Sequence, residues 1–162
     1  MNQAWNDPAE LARQYAKTIF RLAYARTGSQ IDAEDVMQEV FVRLLRARPD
    51  FDSQEHAKAW LLRVAINCTN DLFRLSRRRR EQPLPDTLPA PEREEGGVVE
   101  AVLALPPKYR IVVHLYYYEE LSIAEIASIL GKSEGTVKSR LFRARALLRQ
   151  YLEEDDNVSE RL

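Results

Sequence analysis

The densest group of positively charged side chains lies in the stretch GTVKSRLFRARALLRQ, which runs from Gly135 to Gln150. Lysine or arginine occupies almost every second or third position there, although the whole chain carries a formal net charge of -1. Arginine can donate two hydrogen bonds to a guanine edge, and neighbouring cations can hold phosphates without distinguishing sequence. Residues of these types at this density indicate a surface that binds DNA.

The apolar residues of the same stretch predict a helix with one buried face and one exposed face. Val137, Leu141, Ala144 and Leu148 recur every three or four residues, so they share about 60° of the helix circumference. We expect the opposite face to enter a major groove, with phosphate contacts beside it. The residues expected at base edges are Ser139, Phe142 and Arg143, with Lys138 on the flank, and those expected at phosphates are Arg145 and Arg149.

The residues before this helix have the spacing of a helix-turn-helix motif. Ser122 and Glu125 form a capping box, S-x-x-E, at the start of one helix. Gly131 can adopt the left-handed conformation that ends that helix, and Ser133 can cap the next one. A basic helix face is often only a solvated surface, but here two caps, a turn glycine and a basic helix occur together. The combination favours DNA binding over the solvated-face interpretation.

A second basic stretch, AWLLRVAINCTNDLFRLSRRRR, begins at Ala59 and ends at Arg80. One helical face carries amides and arginines, which suit base edges and phosphates, and the arginines at its end suit a phosphate backbone. A localisation signal or a solvated helix end is the alternative interpretation of that terminal tract. The polar face consists of Arg63, Asn67, Asn70, Arg74 and Arg77. The stripe that we expect to be buried consists of Leu61, Val64, Ala65, Cys68, Leu72 and Leu75.

The preceding segment, RPDFDSQEHAKAW, places aromatic side chains among polar ones. Phe51 and His56 could receive an unstacked base beside the basic helix, whereas Trp60 is expected in the core. His56 has no second ligand nearby, so we expect no metal there. Cys68 is the single cysteine of the chain, which excludes an internal disulfide and a cysteine-rich zinc site, and we expect it to be buried and inert.

The stretch DAEDVMQEVFVRLLR predicts a helix of the opposite electrical character. Val36, Val40, Phe41 and Leu44 are expected to face inward. Binding to DNA does not require an acidic outer face. Binding to a protein partner with a basic surface does. The outer face consists of Glu34, Asp35, Gln38 and Glu39.

Proline and glycine divide the chain into two helical parts. Residues 81–97, EQPLPDTLPAPEREEGG, contain four prolines and five acidic residues against one arginine, which predicts an extended acidic linker. Apolar spacing predicts helices near residues 8–26, 32–46, 55–80, 98–105, 108–118, 122–130 and 133–152, and no strand pattern occurs. We therefore predict an all-α fold of two small helical domains joined by the linker, the second domain containing the helix-turn-helix.

The sequence also limits the setting in which the protein works. The N-terminal residues MNQAWNDPAE have neither a basic region nor an apolar region of the kind found in secretory signals. No apolar run of about 18 residues occurs, so no membrane insertion is predicted. With a single cysteine, we expect a cytoplasmic location. No nucleophile–base pair is visible, so the protein is not expected to be an enzyme or to need a cofactor.

Taken together, these motifs resemble those of the extracytoplasmic-function (ECF) sigma factors. DAEDVMQEVFVRLL, the following loop and the basic helix are similar to sigma region 2. The stretch LPPKYRIVVHLYYYEELSIAEIASILGKSEGTVKSRLFRARALLRQYL is similar to sigma region 4. The resemblance covers roughly residues 10–80 and 98–152, and it implies region 2 at 1–80, a linker at 81–97, region 4 at 98–155 and an acidic tail at 156–162.

The resemblance implies a role for each polar surface. Asp35, Gln38 and Glu39 would bind the β′ clamp helices of core RNA polymerase, and region 4 would lie at the β flap. It further implies control by an anti-sigma factor. For the −10 promoter element the implied residues are Phe51, His56, Arg63, Asn67, Asn70, Arg74 and Arg77; for the −35 element they are Lys138, Ser139, Arg140, Phe142 and Arg143.

Two other interpretations of the sequence remain open. A helix-turn-helix response regulator would share the EIA…GTVKS pattern, but it would need a phosphoacceptor α/β domain, and residues 1–80 predict no strands. An adaptor could bind polymerase or another protein without contacting DNA. The tyrosine-rich segment HLYYYEEL and the acidic end EEDDNVSERL depart from the sigma-factor pattern. The acidic end is expected to be disordered or to shield the basic helix.

Overall fold

The computed structural model describes residues 4–80 and 98–161, and for residues 4, 78–80 and 155–161 it describes the backbone alone. The described residues divide into two compact units, and all their regular elements are helical. The all-α prediction is therefore confirmed over these ranges. The predicted linker, 81–97, lies outside the described residues.

The first unit is a bundle of three helices preceded by a short 3-10 turn at Ala4–Asn6. The helices are α1 (Pro8–Thr27), α2 (Gln30–Ala47) and α3 (Gln54–Arg80). Asp7 caps α1, because its Oδ1 accepts a hydrogen bond from the backbone of Ala9 at 3.1 Å. Helix α2 begins two residues before the predicted start at Asp32, since Ser29 rather than Asp32 is its N-cap.

The core of the first unit lies between the three helices. Val36, Val40 and Leu44 of α2 are buried as predicted, and Phe41 is only half-buried. The stripe predicted on α3 is wrong at its end, because Leu75 is 50% exposed. Leu75 lies in the C-terminal part of α3, which at 27 residues is longer than α1, with 20, and α2, with 18.

The second unit begins with short helices and ends with a long one. Its elements are α4 (Val98–Ala104), α5 (Pro107–Val113), a π-helical turn (His114–Tyr118), α6 (Ile123–Leu130) and α7 (Glu134–Arg161). The sequence predicted one helix over 108–118, but the chain widens into the π-helical turn at His114. Leu105, Val113 and Ala144 form a buried cluster against which Leu148 packs.

The helix-turn-helix of α6 and α7 has the predicted N-terminal caps and turn glycine. Ser122 Oγ accepts a hydrogen bond from the Glu125 backbone at 3.1 Å, and Glu125 Oε1 accepts one from the Ser122 backbone at 3.3 Å. Gly131 has φ = 66°, the left-handed conformation, and its N–H donates to the Ala127 carbonyl. Ser133 Oγ accepts from the Thr136 backbone at 3.1 Å. Both caps and the turn glycine are therefore confirmed, and they fix where the basic helix begins.

Helix α7 is longer than its apolar pattern predicted. Its backbone continues past Leu152 to Arg161, so residues 156–161 of the predicted acidic tail extend the same helix. No glycine or proline follows Gly135, so the sequence contains no strong helix breaker in this part.

We expect Gly131→Ala to destabilise the second unit by about 1–2 kcal/mol. A Cβ atom at this position would meet no atom within 4 Å, so the cost would come from the left-handed backbone alone. Gly131→Asn should cost less, because asparagine tolerates this conformation. Hydrogen exchange of the α6 and α7 amides would measure the effect.

Both tryptophans, Trp5 and Trp60, lie in the first unit and provide an internal control. Unfolding followed by tryptophan fluorescence should be unchanged in both variants. Equal destabilisation by alanine and asparagine would contradict the backbone explanation.

Candidate nucleic-acid and protein interfaces

The outer face of α7 presents a mixed basic, polar and aromatic surface. Val137, Leu141 and Ala144 are buried at 1%, 2% and 0% exposure, which fixes the rotation of the helix. Consequently Phe142 is 73% exposed, an unusual position for a phenylalanine without a partner. The predicted contact residues Lys138, Ser139, Phe142 and Arg143 are all exposed, and Arg140 is half-buried.

A shallow groove of about 440 Å³ runs along one side of this face. Lys108 and Tyr109 of α5 form one wall, and the Lys108 ammonium lies 5.2 Å from the centre of the Tyr109 ring. Lys108 was not predicted from the sequence, because nothing local to α5 shows that it lies beside α7. The groove thus adds a third cation to Arg140 and Arg143. The other lining residues are Ser133, Gly135, Thr136 and Ser139.

The π-helical turn lies against the basic helix through Arg145. Arg145 Nε donates a hydrogen bond to the Tyr117 hydroxyl at 2.6 Å. The guanidinium carbon lies 5.8 Å from the Tyr116 ring centre and 5.6 Å from the Tyr117 ring centre. The tyrosine-rich segment that the sequence analysis left unexplained therefore contacts the helix predicted to bind DNA.

The predicted polar face of α3 is partly occupied by contacts within the protein. Arg63, Asn67 and Arg77 are exposed. Asn70 is half-buried, and its Oδ1 accepts a hydrogen bond from Arg26 at 3.4 Å. Arg74 is exposed and forms a close ion pair with Asp71, one turn away on the same helix.

The two predicted contact residues at the start of α3 lie in different environments, Phe51 in the preceding loop and His56 in the first turn of the helix. Phe51 is buried at 3% exposure, and its ring meets His56 and Trp60 edge-on at 5.2 and 5.8 Å. Its backbone N–H donates to Asn6 Oδ1 at 2.9 Å, so the loop is tied to the N-terminal turn. The expectation that Phe51 offers an open ring face is wrong for this structure, because tertiary packing covers that ring. His56 is exposed.

A depression of about 470 Å³ lies beside this loop. Phe51 forms part of its wall together with Leu45, Arg48 and Asp50. Its remaining lining residues are Asn6, Pro8, Leu11, Leu44 and Pro49.

The outer face of α2 is acidic and amide-rich, as predicted, and it also contains apolar residues. Asp35 and Gln38 are exposed, whereas Glu39 is half-buried and accepts a hydrogen bond from Arg43 at 3.1 Å. The sequence analysis missed the apolar members, although their spacing was visible. Ile31, Asp35, Gln38, Val42 and Leu45, hereafter the α2 stripe, follow one another at intervals of three and four residues along one side.

Arg43 connects the acidic helix to the basic one. It donates to Glu39 on α2 and lies 3.3 Å from Asp71 Oδ2 on α3. Cys68 lies in the same neighbourhood, and burial raises the pKa of its thiol to about 11. Because the thiolate is the reactive form, this neutral, buried thiol has the environment of an inert cysteine.

Neither a metal centre nor a membrane span is found among the described residues. No group of three or more His, Cys, Asp or Glu side chains in 4–80 and 98–154 has the arrangement to hold a metal ion. No helix in the described part of the chain is both long and apolar enough to cross a membrane.

Comparisons with known proteins connect the two units to one family. Residues 11–80 match Sigma-70 region 2, and residues 97–148 match Sigma-70 region 4. The ECF RNA polymerase sigma factor SigW of Bacillus subtilis is 32% identical over 164 residues, covering 89% of this chain and 88% of SigW. The chain belongs to the ECF sigma factor family. The recognition made from the sequence motifs is therefore confirmed.

A second ECF sigma factor and one solved structure extend the comparison. SigE of Mycolicibacterium smegmatis is 40% identical over 156 residues, and the match covers 88% of this chain but only 60% of SigE. Among solved structures, the sigma factor RpoE of Bartonella quintana, crystallised with the anti-sigma factor NepR, has the same fold. Its TM-score is 0.72 at 21% identity, with 90% of this chain and 96% of RpoE covered.

Proposed function

We propose that this ECF sigma factor binds core RNA polymerase, recognises −35 and −10 promoter elements and promotes DNA melting at the start of transcription. The observation that carries the proposal is the rotation of α7. Its buried stripe turns Ser139, Phe142 and Arg143 outward together, immediately after a capped helix-turn-helix. Side chains that combine bidentate donors with an apolar ring suit the edges of bases in a major groove.

Recognition of the −35 element is assigned to the outer face of α7 and the groove beside it. Arg143 is exposed and can donate two hydrogen bonds to a guanine, while Phe142 can pack on a thymine methyl. Lys108 and Arg140 line the groove and suit phosphates, which add affinity without adding sequence preference. The face thus combines base contacts at its centre with backbone contacts at its edge.

Recognition of the −10 element is assigned to α3 and the loop before it. Unstacking one DNA step costs about 1.4 kcal/mol, and a base stacked on protein returns about 1–3 kcal/mol. Melting several steps is therefore near balance and needs the polymerase and the −35 contact to favour it. Because Phe51 is covered, we assign the single strand to the exposed His56 and Asn67, with phosphate contacts from Arg63 and Arg77 and weaker contributions from the paired Arg74 and half-buried Asn70.

Polymerase binding is assigned to the α2 stripe together with Glu39. Apolar and polar residues that alternate at three- and four-residue intervals suit packing against another helix. Asp35 and Glu39 add negative charge, which complements a basic partner. The β′ clamp helices are the partner that region 2 implies, and region 4 would contact the β flap. A sigma factor of this type acts in the cytoplasm and contributes binding energy rather than catalysis.

We extend the proposal to control by an anti-sigma factor. RpoE, which shares this fold, was crystallised with the anti-sigma factor NepR. In this chain the α2 stripe and the outer face of α7 expose large apolar side chains, among them Ile31 at 73% and Phe142 at 73%. Such side chains give an inhibitor apolar surface to cover on each unit.

Run-off transcription tests the proposal directly. Core polymerase supplemented with this chain should start RNA synthesis on a pool of genomic DNA at sites that core polymerase alone does not use. The 5′ ends would define the two promoter elements. If the chain binds polymerase but RNA synthesis starts at no additional site, the chain is an adaptor and the proposal is wrong.

We expect Arg143→Ala to weaken −35 binding by about 1–3 kcal/mol and to relax the preference at one base pair. Arg149→Ala is the matched control, because it removes an exposed arginine that we assign to phosphates. That control should weaken binding by the same factor on every duplex. Affinities for duplexes that differ at single −35 positions would measure both effects, and a uniform loss for Arg143→Ala would rule out base recognition by this residue.

Asp35→Ala and Gln38→Ala should each weaken association with the β′ clamp helices by about fivefold or more, since both lie within the α2 stripe. Duplex binding through α7 should not change. Glu10→Ala removes an exposed carboxylate from α1 and serves as the charge-matched control. Titration of labelled protein with the clamp helices would measure the association, and an equal loss from Glu10→Ala would point to general electrostatics instead.

A further inference from the structure

We infer that Tyr117 is a positioning residue for DNA binding: its hydroxyl holds the Arg145 guanidinium in place to meet a DNA phosphate at the edge of α7. The inference rests on the proposed binding of duplex DNA by α7. It assigns a role to the π-helical turn, which the proposed function leaves without one.

The contacts of Arg145 leave its charged end available. Its Nε donates to the Tyr117 hydroxyl at 2.6 Å, and both neighbouring tyrosine rings lie within 6 Å of the guanidinium carbon. A guanidinium carries five N–H donors, and Nε supplies only one of them. Among the described residues this is the only hydrogen bond of Arg145, so the donors of both terminal amino groups remain for a ligand.

The π-helical turn is what brings two consecutive tyrosines to one arginine. The Glu119 N–H bonds to the His114 carbonyl at 3.0 Å, which spans five residues instead of the four of an α-helix. Within this wider turn Leu115 stays fully buried while Tyr117 is 52% exposed. The Tyr116 and Tyr117 rings meet edge-on at 4.9 Å, so each limits the movement of the other.

The place of Arg145 on α7 indicates the class of ligand. Lys138, Arg145 and Arg149 follow one another at intervals of seven and four residues, so they lie along one side of α7 at the edge of the base-reading face. Their exposed cations are spaced along the helix, an arrangement that suits the phosphate backbone rather than a single base. An arginine that is already ordered loses less rotamer freedom when it binds, which is the advantage that Tyr117 supplies.

The test is a double-mutant cycle on the full chain. Affinity for a random-sequence duplex of about 20 base pairs would be measured by fluorescence anisotropy over a range of salt concentrations. We expect Tyr117→Phe to weaken binding by about threefold to tenfold, the range of one hydrogen bond. Arg145→Ala should also weaken binding and lower the salt slope by about one. Adding Tyr117→Phe to Arg145→Ala should cause no further loss.

Tyr118→Phe is the matched control. Tyr118 is the next residue, is 55% exposed, and stacks on His114 rather than on Arg145. It should bind the duplex as the unchanged protein does. A thermal unfolding curve for each variant would separate loss of fold from loss of binding.

The outcomes distinguish this inference from the function on which it rests. If Tyr117→Phe weakens binding equally with and without Arg145, the hydroxyl only braces the fold and the inference is wrong. It is also wrong if Tyr117→Phe leaves the affinity unchanged while Arg145→Ala and Arg149→Ala, which both remove cations assigned to phosphates, lower it. If none of the arginine substitutions lowers affinity for the duplex, the result contradicts the proposed DNA binding by α7 itself, and not only the role of Tyr117.

Discussion

The rotation of α7 about its own axis is the constraint on which the second unit depends. Val137, Leu141 and Ala144 must be buried together, and burial of one valine or leucine side chain contributes about 1.5–3 kcal/mol. A rotation by half a turn would expose all three and bury Ser139 and Arg143. The same apolar residues that hold the unit together therefore decide which side chains reach solvent. Phe142 is exposed as a result of this rotation, and its exposure does not stabilise the fold.

The first unit separates opposite charges onto neighbouring helices. The outer face of α2 is acidic, and much of the polar face of α3 is basic. Arg43 joins the two through Glu39 and Asp71, and Asp71 in turn pairs with Arg74. Each of these pairs is substantially exposed, so each contributes little to stability, about 0–1 kcal/mol. Their effect is to keep cations and anions in a defined order on a surface proposed to face two different partners.

Local chemistry explains which features could be predicted from the sequence. Caps, turn glycines and apolar periodicity act over a few residues, so the Ser122–Glu125 box, Gly131 and the burial of Val137, Leu141 and Ala144 were correctly predicted, whereas Leu148 is only half-buried. Some of the features that were not predicted depend on distant residues. The loop that carries Phe51 is tied to Asn6, 45 residues away, and Lys108 joins the α7 groove from another helix. Leu75 continues the apolar spacing of α3 but is half exposed, and periodicity alone does not show how far along the helix the packed partners reach.

The exposed apolar side chains on both units also affect how the protein behaves when alone. Ile31, Leu45 and Phe142 are each more than half exposed, and a formal net charge of -1 provides almost no repulsion between molecules. Exposed apolar side chains with little charge repulsion favour self-association. A partner that covers these side chains would therefore also reduce the tendency of the chain to associate with itself, so the colloidal stability of the chain is expected to increase when such a partner is bound.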